Sequence, residues 1–274
     1  MNDVSRERAV IQLLEQDGHM TVAGLSQNLF ISESTTRRML KKLEREGVVH
    51  CHHGDVMLAA DGLPKSILLR SESMSREKRS IAAAAATLIR DNTVIFLDTS
   101  TTVKHTIEFL RRKSGVTVVT NSLPALALLQ AYAIPAKCTG GDLENESSGF
   151  VGYRAHKYIS GICADLFLFS TPCIDTRGRV SDYSEQETYV RQEMMKNARR
   201  TAFLFDHSKY DKDGSFTVCS LKDVDYLVSD MDLTNAFSRE DGTPIPLYLV
   251  EHRNGSVCLA ATKPALAGPR RNHR

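Results

Sequence analysis

Residues 32–47 read SESTTRRMLKKLEREG, and the way this stretch winds decides the fold of everything around it. At 3.6 residues per turn, Thr36, Met39, Leu40 and Leu43 fall within about 100° of one another and form an apolar stripe. Arg37, Arg38, Lys41, Lys42 and Arg45 take the opposite arc, which spans roughly 140°, with Glu44 at its margin. The first sixty residues hold at least as many acids as bases, so the cations are not a property of the region but of this one helix face. A helix that reads DNA needs that arrangement. Its first turn enters the major groove, where Ser34 and Thr35 can approach base edges and phosphates. Arg37, Arg38, Lys41 and Arg45 can clamp the backbone or form paired hydrogen bonds to guanine. An amphipathic helix lying against water would show the same stripe, so the neighbours have to decide.

Those neighbours complete a motif. Val4–Gln16 shows helical periodicity and ends before Gly18; Val22–Leu29 is a second helix preceded by the capping residue Thr21. Phe30-Ile31-Ser32 leaves only a tight connection before Glu33–Glu46, which Gly47 stops. Two β-type pieces, Val48–Cys51 and Val56–Ala59, flank a turn at Gly54-Asp55 and fit a wing, with His53 at its tip. His50, His52 and His53 surround Cys51, but neighbouring strand residues point to opposite faces and no second ligand pair follows at finger-like spacing, so no metal is expected.

Composition bounds the rest. With 274 residues, 42% of them hydrophobic and a net charge of +2, the chain can bury one good-sized core and a small second one, and its overall charge does not name a partner. The six cysteines form no CxxC pair, which argues against a disulfide framework or zinc site. The start is acidic where a secretory leader is basic, and the longest apolar run, Ile81–Ile89, is too short to span a bilayer; a soluble cytoplasmic protein with no membrane contact is expected.

Residues 60–75, rich in Gly, Pro and Ser, look like a linker. Beyond it, helical stretches alternate with strand-like runs at 94–98, 116–120, 134–138, 165–170, 201–206 and 226–230, which predicts a mostly parallel sheet covered on both faces. The organisation expected is a DNA-binding winged helix-turn-helix domain over 1–60, a linker over 61–75, a Rossmann-like α/β domain for effector binding and oligomerisation over 76–251, and a basic tail over 252–274. In an open α/β sheet the loops after the strands meet in one crevice. Here they carry Asp98-Thr99-Ser100-Thr101-Thr102 before a helical stretch at 103–112, then Asn121-Ser122, Gly140-Gly141, Ile174-Asp175 with Gly178, and His207-Ser208-Lys209. Hydroxyls and amides at a helix start, with a lysine nearby, make an anion cradle.

Taken together these residues resemble the deoxyribose-operon-repressor (DeoR) family of bacterial transcription regulators. The first domain matches at Leu13-Leu14, Gly18, Val22, Leu25, Ser32, Thr35-Thr36-Arg37-Arg38, Leu40, Leu43-Glu44, Gly47 and His53-Gly54. The second matches the family's D-S-G-T-T, T-N-S, G-G, G-I-D and D-S-S-K order, with Glu187, Val190 and Met194 on the helix that follows G-I-D. The resemblance implies a sheet fold shared with ribose-phosphate isomerase and a repressor of carbohydrate-metabolism genes controlled by a phosphorylated sugar or related metabolite. Carried over by position, Thr101 and Thr102 take the phosphate with Ser100 beside them. Asn121 and Ser122 add polar contacts, Asp98 and Asp175 accept sugar hydroxyls, Gly140 and Gly141 complete the loops, and Lys209 supplies the cation. Double-stranded operator DNA is the expected partner, read by a homo-oligomer, a dimer or tetramer; no cofactor is implied.

The departures from the pattern are informative. Met39 stands where the family has an aspartate, Cys51 where a wing arginine is usual, and Asp55 where a second glycine is usual. Ser100 replaces the glycine of the phosphate loop, and Ser170-Thr171-Pro172-Cys173 stands for G-A-D-G, which predicts a ligand unlike the usual one or one held weakly. Two other readings remain open: a sugar-phosphate isomerase-like enzyme using Asp175 and Lys209, and a ligand-independent DNA-binding protein whose second domain only assembles. The acid missing at 172 removes a natural catalytic base, so an enzyme is not expected.

Overall fold

The computed structural model describes residues 6–7, 9–11, 13–14, 18–45, 48–52, 54–58, 74–233, 237–238, 242–253 and 256–261. The chain divides into two compact units, Met1–Ser73 and Met74–Arg274. The expected linker falls largely outside the described residues.

In the first unit, the described residues between 6 and 14 are helical. They are followed by β1 (His19–Thr21), α1 (Val22–Leu29), α2 (Glu33–Arg45), β2 (Val49–His52) and β3 (Asp55–Leu58). The Thr21 hydroxyl accepts the Gly24 amide at 3.0 Å, capping α1. One element goes beyond the expected three helices and hairpin: β1 pairs antiparallel with β3, making a three-stranded sheet of order β1-β3-β2. Three residues are too few to show a strand's period of two, so only the tertiary pairing defines β1. Val10, Leu14, Leu25, Leu40, Leu43, Val49 and Val56 close one small core.

The second unit is built on an eight-stranded sheet. Its strands are β4 (Val94–Leu97), β5 (Thr117–Thr120), β6 (Ala136–Cys138), β9 (Leu166–Phe169), β12 (Thr201–Phe205), β14 (Tyr226–Ser229), β15 (Leu247–Arg253) and β16 (Ser256–Ala261). The spatial order is β16-β15-β14-β12-β9-β4-β5-β6. Every neighbouring pair is parallel except β15 and β16. Residues 252–253 and 256–261, expected within a terminal tail, instead finish β15 and supply the antiparallel edge strand β16. The remaining helices are α3 (Ser75–Ala86), α4 (Thr101–Lys104), α5 (Ile107–Leu110), α6 (Leu123–Ala131), α7 (Tyr153–Ile159) and α8 (Glu185–Lys196). The helical stretch expected at 103–112 is thus two short helices; between them the Thr106 hydroxyl donates to the Val103 carbonyl at 2.7 Å. A hairpin of β7 (Asp142–Glu144) and β8 (Gly149–Val151) and a small sheet of β10 (Cys173–Ile174), β11 (Arg179–Asp182) and β13 (Phe216–Ser220) flank the main sheet.

Alternation along the central strands explains the two covered faces. Phe96, Phe167, Phe169, Phe203 and Phe205 project to one side and pack with Ala155, Ile159, Val190 and Met194 of α7 and α8. Phe167 stacks on Phe169 at 5.0 Å between ring centroids, and Phe203 on Phe205 at 5.2 Å. Ile95, Leu97, Leu166, Leu168, Ala202 and Leu204 take the other side, against Ile81, Ala84 and Ala85 of α3. Both faces are buried, and the chain reverses its strand order between β4 and β9. That reversal places the crevice.

Candidate nucleic-acid interface and effector crevice

Helix α2 buries the stripe expected of it: Thr36, Met39, Leu40 and Leu43 are all buried. Arg37, Arg38, Lys41 and Lys42 lie exposed, while the side chain of Arg45 and the whole of His53 fall outside the described residues. Two polar contacts orient α2. The buried Ser26 hydroxyl of α1 lies 2.9 Å from the Thr36 hydroxyl, and the Thr35 amide donates to Ser32 Oγ at 3.3 Å. Ser32 Oγ is also within 2.9 Å of the hydroxyls of Ser34 and Thr35, so three small hydroxyls gather at the start of the helix. Arg37 Nη2 meets Glu33 Oε2 at 2.7 Å in an exposed pair, and Lys42 Nζ meets Glu7 Oε1 at 2.8 Å. Glu44 accepts the Cys51 amide at 3.0 Å, tying α2 to the wing. Lys42 and Glu44 thus tie α2 to the rest of the unit, and Arg37, Arg38 and Lys41 are the other exposed cations of α2 among the described residues.

In the second unit the strand ends gather around Lys209. Its Nζ donates to Ser170 Oγ at 2.6 Å and to Thr102 Oγ1 at 3.1 Å, and lies 3.7 Å from Asp206 Oδ2. One ammonium thus joins the segments after β4, β9 and β12. Asp206 caps the turn that carries the lysine: Oδ1 accepts the Ser208 amide at 3.2 Å and the Ser208 hydroxyl. Burial pushes the Asp206 carboxyl up, but Lys209 and Ser208 outweigh it and hold it below the usual aspartate value. Beside it, His207 Nδ1 meets Asp230 Oδ2 at 2.7 Å, and that contact raises the imidazole above its ordinary value.

The other expected effector residues have partners of their own. Ser100 caps α4, its Oγ accepting the Val103 amide at 3.2 Å; Thr101 and Thr102 are buried beside it. Ser122 caps α6 through the Ala125 amide at 3.3 Å. Gly140 and Gly141 both sit at positive φ, and a Cβ on Gly141 would lie 2.3 Å from the Val151 carbonyl oxygen. Asp175 turns into the link between β10 and β11, where Oδ1 accepts the amides of Arg177 at 2.9 Å and Arg179 at 2.7 Å. Burial raises its carboxyl, and those amides together with the Arg177 guanidinium bring it below the usual range.

Asp98 is likewise committed. Oδ1 accepts the Ser100 amide at 3.0 Å; Oδ2 accepts the Ser170 amide at 3.3 Å and Arg191 Nε at 2.8 Å. It clamps the segments after β4 and β9 together. Arg191 was not among the expected site residues. It is fully buried, pairs also with Asp182 Oδ2 at 2.8 Å, and lies 3.7 Å from Glu187 Oε2. Glu187 Oε2 in turn accepts from Thr99 Oγ1 at 2.9 Å and Asn121 Nδ2 at 3.4 Å. Glu187 and Arg191 stand four apart on α8, a spacing that reads in sequence as a surface ion pair. Only the sheet above them shows otherwise. The group is a buried polar network on α8 that reaches the segments after β4 and β5, and through Asp98 and the Ser170 amide it adjoins the contacts of Lys209.

Comparison with known proteins bears on both units. Residues 73–231 match the family model described as DeoR C terminal sensor domain, and residues 5–50 match one described as winged helix-turn-helix DNA-binding. The HTH-type transcriptional repressor CsqR of Escherichia coli (strain K12) is 29% identical over 228 residues, covering 82% of this chain and 87% of the relative. The glycerol-3-phosphate regulon repressor of the same organism is 25% identical over 231 residues, covering 84% and 92%. Among solved structures, ribose 5-phosphate isomerase A from Methanocaldococcus jannaschii superposes with a TM-score of 0.39 at 19% identity, over 50% of this chain and 55% of that one.

Proposed function

The chain belongs to the DeoR family of transcription regulators, with a DNA-binding winged helix and a sensor domain, and on that premise we propose that it represses carbohydrate-metabolism genes until a phosphorylated sugar-like metabolite enters the crevice. The observation that carries this reading is the Lys209 ammonium, bridged to Thr102 and Ser170 where the strand order reverses. A cation held between two hydroxyls at a topological switch point is a ready partner for a phosphate, which can replace both hydroxyl contacts with charge-assisted ones. An incoming anion would pull on three segments at once, and movement of those segments is the signal the DNA-binding unit has to receive.

In the proposed mechanism α2 enters the major groove, with Ser34 and Thr35 at its leading turn, Arg37, Arg38 and Lys41 on the phosphates or base edges, and Arg45 and His53 completing the contacts. The active species is a homo-oligomer in the cytoplasm, because a symmetric pair of winged helices matches the twofold symmetry of operators. Regulation requires the metabolite to favour one conformation over the other by about 1–3 kcal/mol. The crevice is a sensor and not a catalyst: Asp98 and Asp175 are engaged with arginine and backbone partners, and the position held by Pro172 supplies no base. The test is a gel shift on the DNA upstream of the chain's own gene, repeated with a panel of phosphorylated sugars. Release of the DNA by one of them, with no spectroscopic turnover of ribose 5-phosphate, supports the proposal; binding that no phosphorylated sugar alters refutes the sensor role.

A further inference from the structure

The Ser147 hydroxyl has one proton and two carboxylate neighbours. Its Oγ lies 2.8 Å from Glu144 Oε2 and 2.8 Å from Glu187 Oε1, and it accepts the Gly149 amide at 3.2 Å. A serine can donate once only. If both glutamates were ionised, one of these contacts would set lone pair against lone pair at hydrogen-bond distance with nothing between them. One acid must therefore carry a proton.

The surroundings choose which. Glu144 is partly exposed and its Oε1 accepts the Ser184 hydroxyl at 3.0 Å, so its charge is readily solvated. Glu187 has 2% of its side chain exposed and shares its interior with Asp98 and Asp182 around a single guanidinium. Arg191 gives its short contacts, 2.8 Å each, to the two aspartates; its 3.7 Å approach to Glu187 is too long for a hydrogen bond. Two aspartates already outnumber the one cation, and a third buried anion would add like-charge repulsion to the cost of desolvation. Burial pushes the Glu187 carboxyl above the usual glutamate value, against the lowering influence of Arg191 and of the Ser147 and Thr99 hydroxyls.

We propose that Glu187 is held as the neutral acid, its Oε1–H donating to Ser147, whose hydroxyl then donates to Glu144, and that this protonated carboxyl is the positioning residue on which the crevice segments converge. Its second oxygen accepts from Thr99, after β4, and from Asn121, after β5. The β7–β8 turn is held through Ser147, and Gly149 approaches so closely that a Cβ there would lie 2.3 Å from Glu187 Oε1. A charged Glu187 would lose the donor that keeps this turn in place. The charged groups that face it among the described residues are Arg191 on α8, Asp98 after β4, Asp182 on β11 and, across Ser147, Glu144 on β7. That these segments form the effector site rests on the function proposed above; the proton itself does not.

The sign of the pH dependence follows. A carboxyl whose folded-state value is raised contributes stability that is complete below its unfolded value and is lost as pH rises through the folded one. The full-length protein and its Glu187→Gln and Glu187→Ala variants test this in three readouts. The infrared spectrum of the unmodified chain near neutral pH should show the carbonyl stretch of an un-ionised carboxyl, absent from Glu187→Gln. Urea unfolding should show the loss of stability with rising pH flattened in Glu187→Gln. Amide hydrogen exchange over residues 99–103 and 147–150 should stay protected in Glu187→Gln, whose amide keeps a donor and an acceptor, and become faster in Glu187→Ala. A missing carboxyl band, or exchange in Glu187→Gln as fast as in Glu187→Ala or faster, overturns the proposal; should Glu187→Ala fail to fold, faster exchange in Glu187→Gln than in the unmodified chain does so. None of these readouts uses a sugar phosphate, so a crevice that bound none would leave the proton result standing.

Discussion

Arg37 and Arg38 show how little the fold asks of the residues proposed to meet DNA. Among the described residues Arg37 is engaged by Glu33, in a pair with about half of each side chain in water, and such pairs contribute roughly 0.3–0.5 kcal/mol. A phosphate outbids that interaction easily. Replacing Arg37 and Arg38 by Ala should leave thermal stability unchanged, weaken operator binding, and reduce the slope of log K against log salt by about 0.9 for each phosphate that is no longer neutralised. Anisotropy titrations across a salt series read this directly, and a slope equal to the unmodified chain's would remove both arginines from the interface. Lys209 makes the opposite case: it is mostly buried, and Lys209→Met should preserve operator binding while abolishing release by a phosphorylated sugar, which a gel shift measures. Gly141 answers to backbone alone. With φ at +118° and the Val151 carbonyl in the way, Gly141→Ala should destabilise the chain by more than about 1 kcal/mol in urea unfolding, where a compatible site would gain stability.

Among the elements, the central strands β9 and β12 are buried along their whole length, and their phenylalanines are the most testable part of that burial. Phe169 stacks on Phe167 at 5.0 Å and meets Phe203 at 5.1 Å, all fully buried, so Phe169→Ala should cost about 3–5 kcal/mol of unfolding free energy. A decrease under about 1 kcal/mol would mean that the two faces of the sheet are not packed as described. The central strands were legible in the sequence because runs such as VIFLD and TAFLFD are too short for helices and apolar on both alternations, and α2 was legible because its stripe and its charges part cleanly around the helix. The rest was hidden for physical reasons. β1 is too short to show a period, and β16 follows a stretch that reads as a tail until Tyr248 pairs with Ala261. The 103–112 helix breaks where Thr106 bonds back to Val103. Arg191 and Glu187 look like an ordinary solvated pair; their burial comes from strands and turns far away in sequence, Asp98 and Ser147 among them, and no local signal announces it. The same distance hides the contacts of Asp98, to which the family resemblance assigned a sugar hydroxyl: its partner Arg191 lies 93 residues further on.

On the scale of the whole molecule, the two compact units differ in what they carry: one holds the cations and hydroxyls proposed to meet a duplex, the other gathers strand ends around a lysine. Among the described residues no helix is long and apolar enough to cross a membrane. The proposed oligomer should appear in light scattering as a dimer or tetramer at concentrations where operator binding saturates, and a monomer there would contradict the symmetric reading. Coupling between the units is the central claim. It is tested most directly by the anisotropy of a labelled fragment from upstream of the chain's own gene, titrated at low salt with and without each member of a panel of phosphorylated sugars. The account predicts tight binding that one such sugar weakens by about 5–150-fold, the range of a 1–3 kcal/mol coupling; binding that no member of the panel alters would contradict it.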